Sequence, residues 1–417
     1  MTEVIMIFGF MLAAYAIVGN DSIQTLGTFL YSNSHRKWWI LWLYSSTIMV
    51  AVILYGWFTY DQDPSYNRLN KVYEKSVSIE ETLEALETAR AAVVADPEQE
   101  DISSELTRLE AQLVATKKIF VTDPKGLDAS IGQLERELEM LAEMAEQPGV
   151  PNAQRVTVDV VLRKAGNLLE RMDERRDVSQ FISWKYLLPP FALLLLTRFG
   201  FPVSTSFLVL ITFQPAVLTS MLTKSLMGYL VAMLAAIVIY FLVLRAVEAR
   251  WRREGEGGIH PVWTVFQWGS TAFLWSMWLI QDMANIFVYL PRMPDLNWLI
   301  FAIIWMVSVQ AFIYYTRGGK IQRVVTTKTN THDVRSATFV DLIYGVVLYI
   351  FKIHSNVPMS TTWVFLGLLA GREIAFALSR SEGTTFKHAF KLARKDMVKA
   401  GFGLGVSVAI AFVINMV

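Results

Sequence analysis

Two short runs of the chain carry residue types suited to ion chemistry. "VGNDSIQTLGT" (18–28) places Asn20, Asp21 and Gln24 inside an otherwise apolar stretch. "LIQDMANIFVY" (279–289) places Gln281, Asp282 and Asn285 inside another, with Asp282 261 residues beyond Asp21. Aligned, both read amide–Asp–x–x–amide, with Asn and Gln exchanged. A carboxylate at the bilayer centre costs roughly 2.5–3.5 kcal/mol on insertion scales, so two at matching places point to function. Carboxylate and side-chain amide oxygens are hard ligands, suited to Na⁺ rather than to a soft metal. Backbone carbonyls freed where the polar residues interrupt each helix would add to them. Spacing of i, i+3 puts Asp21 and Gln24 on one helix face, and likewise Asp282 and Asn285. The candidate cation ligands are therefore Asn20, Asp21, Gln24, Gln281, Asp282 and Asn285, with Asp21 and Asp282 supplying the charge that holds Na⁺.

A second pair of runs is equally alike: "FPVSTSF" (201–207) and "VPMSTTW" (357–363). In each, proline ends an incoming apolar arm and Ser/Thr residues open an outgoing half-helix. The unpaired N–H groups and positive dipole end found there favour an anion. Ser204, Thr205, Ser206, Ser360, Thr361 and Thr362 add hydroxyls and are the candidate anion-binding residues. A bound cation offsets the anion's charge, so no basic side chain is required.

These motifs need a membrane body to position them. Spanning the hydrocarbon takes about 20 mostly apolar residues. Segments 4–30, 38–58, 225–244, 262–290, 297–315 and 400–417 qualify. Four shorter stretches form two pairs around the prolines, 184–199 with 204–220 and 337–353 with 360–378. Each arm is marginal as a span, and a re-entrant hairpin accommodates it better, since backbone breaks at membrane depth survive only inside protein. The order is interrupted helix, plain helix, hairpin, helix, and then the same four again: an internal repeat.

Charge divides the chain further. Residues 61–183 hold 25 Asp+Glu against 15 Lys+Arg, and the remainder holds 12 against 23. The overall charge of +1 averages an acidic soluble insertion with a basic membrane body. The predicted fold is thus an all-α polytopic membrane protein of two inverted repeats plus a soluble helical insertion. Residues 1–60 begin the first repeat, 61–183 form the insertion, 184–250 complete the first repeat and 251–417 form the second. Each unit crosses the membrane an odd number of times, so the second starts on the opposite side. With the N-terminus outside, the basic runs at 35–37, 245–253, 316–335 and 380–399 all face the cytoplasm, as the positive-inside rule requires. This makes a multi-pass protein of the cell (inner or plasma) membrane with its insertion on the outer side. Within the insertion, Ile102, Leu106, Leu109 and Leu113, then Ile131, Leu134, Leu138, Leu141 and Ala145, keep helical spacing. Breaks at Asp96-Pro97, 122–126 and 147–151 predict about four helices in an antiparallel bundle.

Other chemistry is poorly supplied. There is no cysteine, so thiol and disulfide chemistry are excluded. The five histidines lack metal-ligand spacing, and no phosphate-cradling loop, nucleophile elbow or nucleic-acid pattern is visible. The start, Met1-Thr2-Glu3, lacks the basic region of a signal peptide, so 4–30 reads as a retained membrane segment. Asp341 and the Arg372-Glu373 pair read as structural.

The motifs together resemble the inorganic phosphate transporter (PiT) family, whose repeats carry a GANDVANAFGT-like run and a P-x-S-T-T run. Asn20, Asp21, Gly27 and Thr28 match the first run, with Gln24 where the family has Asn. In the second half Asp282 and Asn285 match, with Gln281 for Asn, and "GGKIQRVV" (318–325) is similar to the family's glycine-rich basic stretch. Phe207 and Trp363 stand where the family has His, Ser206 replaces Thr, and Val288 and Tyr289 replace a downstream Gly. The likeness covers nearly the whole membrane body and excludes 61–183. It implies a non-enzymatic symporter of inorganic phosphate, coupled to Na⁺, working by alternating access with no cofactor besides that ion. Expected partners are phosphate or a similar oxyanion, the lipid bilayer and, as a possible homodimer, a second copy, but not nucleic acid. Two alternatives stay open: an H⁺-coupled symporter of sulfate or another oxyanion, and a non-transporting sensor or scaffold on a transporter fold.

Overall fold

The computed structural model describes residues 2–77, 79–94, 100–123, 126–175, 182–199, 201, 203–241, 260–316, 334–354, 359–379 and 386–416. The chain starts with α1 (Thr2–Ser32), α2 (Trp38–Thr59) and α3 (Arg68–Ser76). Next come α4 (Glu80–Val94), α5 (Glu100–Thr122), α6 (Leu127–Glu146) and α7 (Asn152–Arg175). A single 3-10 turn leads into α8 (Leu188–Arg198) and α9 (Thr205–Phe213), followed by α10 (Leu218–Ile239). The remainder comprises α11 (Val262–Phe287), α12 (Leu296–Tyr315), α13 (Val334–His354), α14 (Thr361–Leu378) and α15 (Phe386–Met416). No strand occurs among the described residues.

The chain separates into two compact units, residues Met1–Leu69 with Ile182–Val417, and residues Asn70–Phe181. In the second, α4 packs on α5 and α7, and α6 on α5 and α7. The connections α5–α6 and α6–α7 are short, so those neighbours run antiparallel. Leu106, Leu109 and Leu113 of α5, Leu134 and Leu141 of α6, and Val161, Ala165 and Leu168 of α7 fill the interior. The helix ends at Val94, Thr122 and Glu146 fall at the expected breaks. Residues 61–69, on the insertion's side of the boundary drawn from charge, cluster with the first unit instead.

Six helices of the first unit are long and apolar enough to cross a membrane: Thr2–Asn20, Trp38–Thr59, Pro215–Ile239, Leu296–Tyr315, Thr361–Leu378 and Ala389–Met416. The chain is thus an all-α, membrane-embedded protein. The expected span at 262–290 forms its helix, α11, but is not among the six. Gln267, Ser270, Thr271, Gln281, Asp282 and Asn285 reduce its hydropathy, and all six are buried against protein.

The two hairpins differ in the length of their arms. Helices α8 and α9 have 11 and 9 residues, about 14–16 Å at 1.5 Å per residue, too short for a hydrocarbon core of about 30 Å. Helices α13 and α14 have 21 and 18 residues. Helix α14 is one of the six apolar spans and the apolar part of α13 is Ala337–Phe351, so the arms expected at 337–353 and 360–378 agree within a few residues.

Packing within the unit recurs with the two halves exchanged. Helix α1 packs on α8 as α11 packs on α13; α9 packs on α15 as α14 packs on α10. Across the halves, α1 meets α12 as α11 meets α2, while α1 contacts α11 and α2 contacts α12.

One expectation is overturned. The polar motifs do not break their helices: α1 runs unbroken through Asn20–Gln24, and α11 through Gln281–Asn285. No backbone carbonyl is freed there. An unbroken helix keeps every backbone bond inside the segment, the least costly arrangement in an apolar body, and leaves polarity to side chains.

The α10–α14 interface is built on Gly367 and Gly371, one turn apart. A Cβ at Gly367 would collide with the carbonyl oxygen of Tyr229, and one at Gly371 with that of Met233. Small residues at this spacing let two helix backbones approach closely. Gly269 of α11 has nothing within 4 Å of its Cβ position. Gly367→Ala should therefore lower the thermal unfolding midpoint of the detergent-purified protein sharply, whereas Gly269→Ala should leave it unchanged or slightly raise it.

Candidate ion-binding site

The two Ser/Thr runs open helices in the same way. Ser204 is the N-cap of α9, with φ −78° and ψ 114°, and its Oγ accepts from the Phe207 N–H at 3.2 Å. Ser360 is the N-cap of α14, with φ −78° and ψ 109°, and its Oγ accepts from the Trp363 N–H at 3.2 Å. Each cap uses a lone pair and leaves the hydroxyl proton available as a donor. The N–H groups of Thr205 and Ser206, and of Thr361 and Thr362, lie in the first turns and have no intrahelical acceptor. Pro202 and Pro358 lie outside the described residues.

The tips are tied reciprocally. Ser206 Oγ donates to the Met359 carbonyl at 3.1 Å, and Thr362 Oγ1 donates to the Val203 carbonyl at 3.2 Å. Ser206 and Thr362 are third in their runs, and Val203 and Met359 each precede one. Phe207 and Trp363, also equivalent, face each other with ring centroids 5.8 Å apart. Both tips are therefore held crossed at one point by polar ties backed by an aromatic contact. A further bond anchors the second tip, from the Ser360 N–H to Ser225 Oγ at 2.8 Å.

Asp282 meets this crossing. Thr205 Oγ1 donates to its Oδ1 at 3.1 Å, and Asn285 Nδ2 also donates to that oxygen. The same Asn285 amide reaches Ser206 Oγ at 3.0 Å and Thr205 Oγ1 at 3.3 Å. Gln281 Nε2 donates to the Leu348 carbonyl at 3.4 Å. Gln281, Asp282 and Asn285 are all fully buried. Yet Gln281 Oε1, Asp282 Oδ2 and Asn285 Oδ1 have no hydrogen-bond partner. A buried polar group left unpaired costs about 1–3 kcal/mol, more when charged. The acceptor oxygens of Asp282 and Asn285, one turn apart on one face of the helix, are of the type that a hard cation takes.

The corresponding residues of α1 are less fully described. Asn20 is buried, and its Oδ1 accepts from Thr197 Oγ1 at 3.3 Å. The side chains of Asp21 and Gln24 lie outside the described part of the structure. The arrangement thus gathers Asp282, Asn285, Thr205 and Ser206 at one place, while Gln281 bonds to α13. Ser360, Thr361 and Thr362 stand on the facing tip.

Asp341 has a structural part. It accepts from Thr28 Oγ1 at 2.7 Å and from Thr271 Oγ1 at 2.6 Å, clamping α1 and α11 to α13. The Arg372 guanidinium lies over the Phe376 ring, 5.0 Å from its centroid.

Sequence reasoning missed one residue at the site. Arg68 reads as another charge of the solvated insertion, but it is 1% exposed, and its Nε and Nη1 have no hydrogen-bond partner. It lies within electrostatic reach of Asp282 and of Lys224. The only local signal was "DQDPSYN" (61–67), a turn-rich run able to fold the chain back.

Set against known family models, curated proteins and solved structures, the chain finds no match in any of the three. The class it shows is therefore the one its helices define, an all-α membrane protein.

The reciprocal ties generate a test. Ser206→Ala and Thr362→Val should each destabilise the protein by about 0.6–1.5 kcal/mol, the usual worth of a buried or intramembrane hydrogen bond. Thermal unfolding in detergent measures this, and similar losses from both variants are expected because the bonds are equivalent.

Proposed function

We propose that the protein is a cation-coupled symporter of an inorganic oxyanion, with Na⁺ and phosphate as the pair. One observation carries this reading. Two unpartnered, fully buried oxygens, of Asp282 and Asn285, belong to side chains one hydrogen bond from Thr205 and Ser206 at the start of α9, which is itself tied to the start of α14. A site for a hard cation beside a site for an anion is the minimum that symport requires.

In this reading Asp21 and Asp282, with Asn20, Gln24, Gln281 and Asn285, hold the cations. The helix starts at Ser204–Ser206 and Ser360–Thr362 hold the anion. Charge supplies the coupling: an oxyanion close to an uncompensated carboxylate is repelled in a low-dielectric body, so cation binding precedes or accompanies anion binding. The two halves act as inverted repeats, supported by packing that recurs with the halves exchanged and by the reciprocal tip bonds. Alternating access rocks one repeat assembly against the other around the fixed site. The basic loops put the N-terminus and the insertion outside, in a cell or inner membrane.

The sensor or scaffold alternative draws on the insertion's own compact core. Uptake of radiolabelled phosphate and sulfate into proteoliposomes, with and without a Na⁺ gradient, separates the readings. Symport predicts Na⁺-driven phosphate accumulation, abolished by Asp282→Asn and by Asp21→Asn. Sulfate accumulation driven by a proton gradient would favour the H⁺-coupled alternative, and binding without accumulation the sensor. Undiminished uptake in both Asn variants would refute the assignment of the carboxylates.

A further inference from the structure

We infer that Arg68 is an anion ligand of this site, its guanidinium forming the fixed positive pole against which a tetrahedral oxyanion docks on the crossed hairpin tips. The inference rests on the symport reading for the identity of the anion, but not for the geometry. It adds a basic side chain where the sequence suggested that none is required.

Arg68 is within electrostatic reach of Asp282, which accepts from Thr205 at the first tip. It is also within electrostatic reach of Lys224. It forms no ion pair with a described residue, and Nε and Nη1 are unpartnered. A 1% exposed guanidinium with two idle donors is an unusual arrangement, since buried charges are ordinarily paired. Each of these donors can make a charge-assisted hydrogen bond to an oxyanion oxygen.

Electrostatics agrees with the geometry. Burial pulls the guanidinium down to about 10 while Asp282 opposes the drift, so it remains charged at neutral pH. A cation on Asp282 takes over the compensation of that carboxylate and frees Arg68 to serve the anion. Arg68 thereby lowers the number of bound cations that charge balance demands.

The chain before Arg68 holds it in place. The positive-φ residues other than glycine among the described residues are Asp61, Gln62, Tyr66 and Asn67, all within seven residues of Arg68. Such backbone persists only where its surroundings impose it, at a cost of order 1–3 kcal/mol per residue. Asp63 imposes it here, accepting from the N–H groups of Ser65 at 2.7 Å and Asn67 at 2.8 Å. Tyr66 adds an anchor, its hydroxyl donating to the Val52 carbonyl at 2.6 Å. Its ring lies over Gly56, where a Cβ would come within 2.8 Å of it.

Equilibrium titration of the full-length protein in detergent with inorganic phosphate and with sulfate, at saturating Na⁺, tests this. Arg68→Gln should weaken oxyanion binding by roughly 10- to 100-fold, as loss of a charge-assisted hydrogen bond does. Arg68→Lys should fall between, keeping the charge without the guanidinium's fixed donors. The Na⁺ midpoint measured without oxyanion should stay within about twofold in Arg68→Lys and should fall in Arg68→Gln, which removes a charge competing with Na⁺ for Asp282. Wild-type affinity in Arg68→Gln overturns the proposal. So does parallel loss of Na⁺ response and thermal stability in both variants, which would make Arg68 a structural counter-ion. Wild-type protein that binds oxyanion without accumulating it refutes symport and leaves Arg68 in place. Wild-type protein that binds neither oxyanion refutes both.

Discussion

Asp282 sets the constraint on which the rest of the structure depends. A carboxylate inside an apolar body must be neutralised, hydrogen-bonded or matched by a counter-charge, because water is not there to solvate it. One oxygen is served by Thr205 and Asn285, while the other has no hydrogen-bond partner. The neighbouring amides do not complete the shell, since they too turn unpartnered oxygens inward. Such a cluster is poor design for stability alone and good design for a removable ion. The protein must then hold the cluster rigid while it is empty.

Rigidity comes from the hairpin tips. Helix α9 is nine residues long, and a short helix on its own is marginal. It survives through its Ser204 cap, its buried apolar face and the reciprocal bonds between Ser206 and Met359 and between Thr362 and Val203. These bonds join atoms at equivalent places in the two halves, as a two-fold axis would require. Around them, Gly367 and Gly371 let α14 lie tightly on α10, and Asp341 fastens α1 and α11 to α13. The dipole ends, the carboxylate and Arg68 are thus fixed relative to one another before any ligand arrives, which is what selective binding of small ions needs.

Much of this was legible in the sequence, for identifiable reasons. Asp282 and Asn285 at i, i+3 stood out because polar residues are rare in apolar segments, and the structure brings them together with Thr205 and Ser206. Ser204 and Ser360 announced helix starts through the local chemistry of capping, which needs no tertiary information. Heptad-like spacing and Pro/Gly breaks gave the four helices of the insertion. What the sequence did not reveal depends on three-dimensional contact. A polar run does not say whether its helix breaks, and both helices stay intact. At the first hairpin the outgoing arm is shorter than the expected 204–220, because its helix ends at Phe213 ahead of Pro215. Arg68 was hidden because charge composition assigns it to the acidic insertion, whereas a strained turn folds it into the membrane unit.

The central claim is that the Asp282 cluster is a cation site. Thermal unfolding of the purified protein in NaCl against equimolar choline chloride tests it most directly, because a ligand bound only by the folded state raises stability by mass action. The account predicts a higher midpoint in Na⁺ for the wild type, rising with concentration, and no difference between the two salts for Asp282→Asn. Equal midpoints for the wild type in Na⁺ and choline would contradict it.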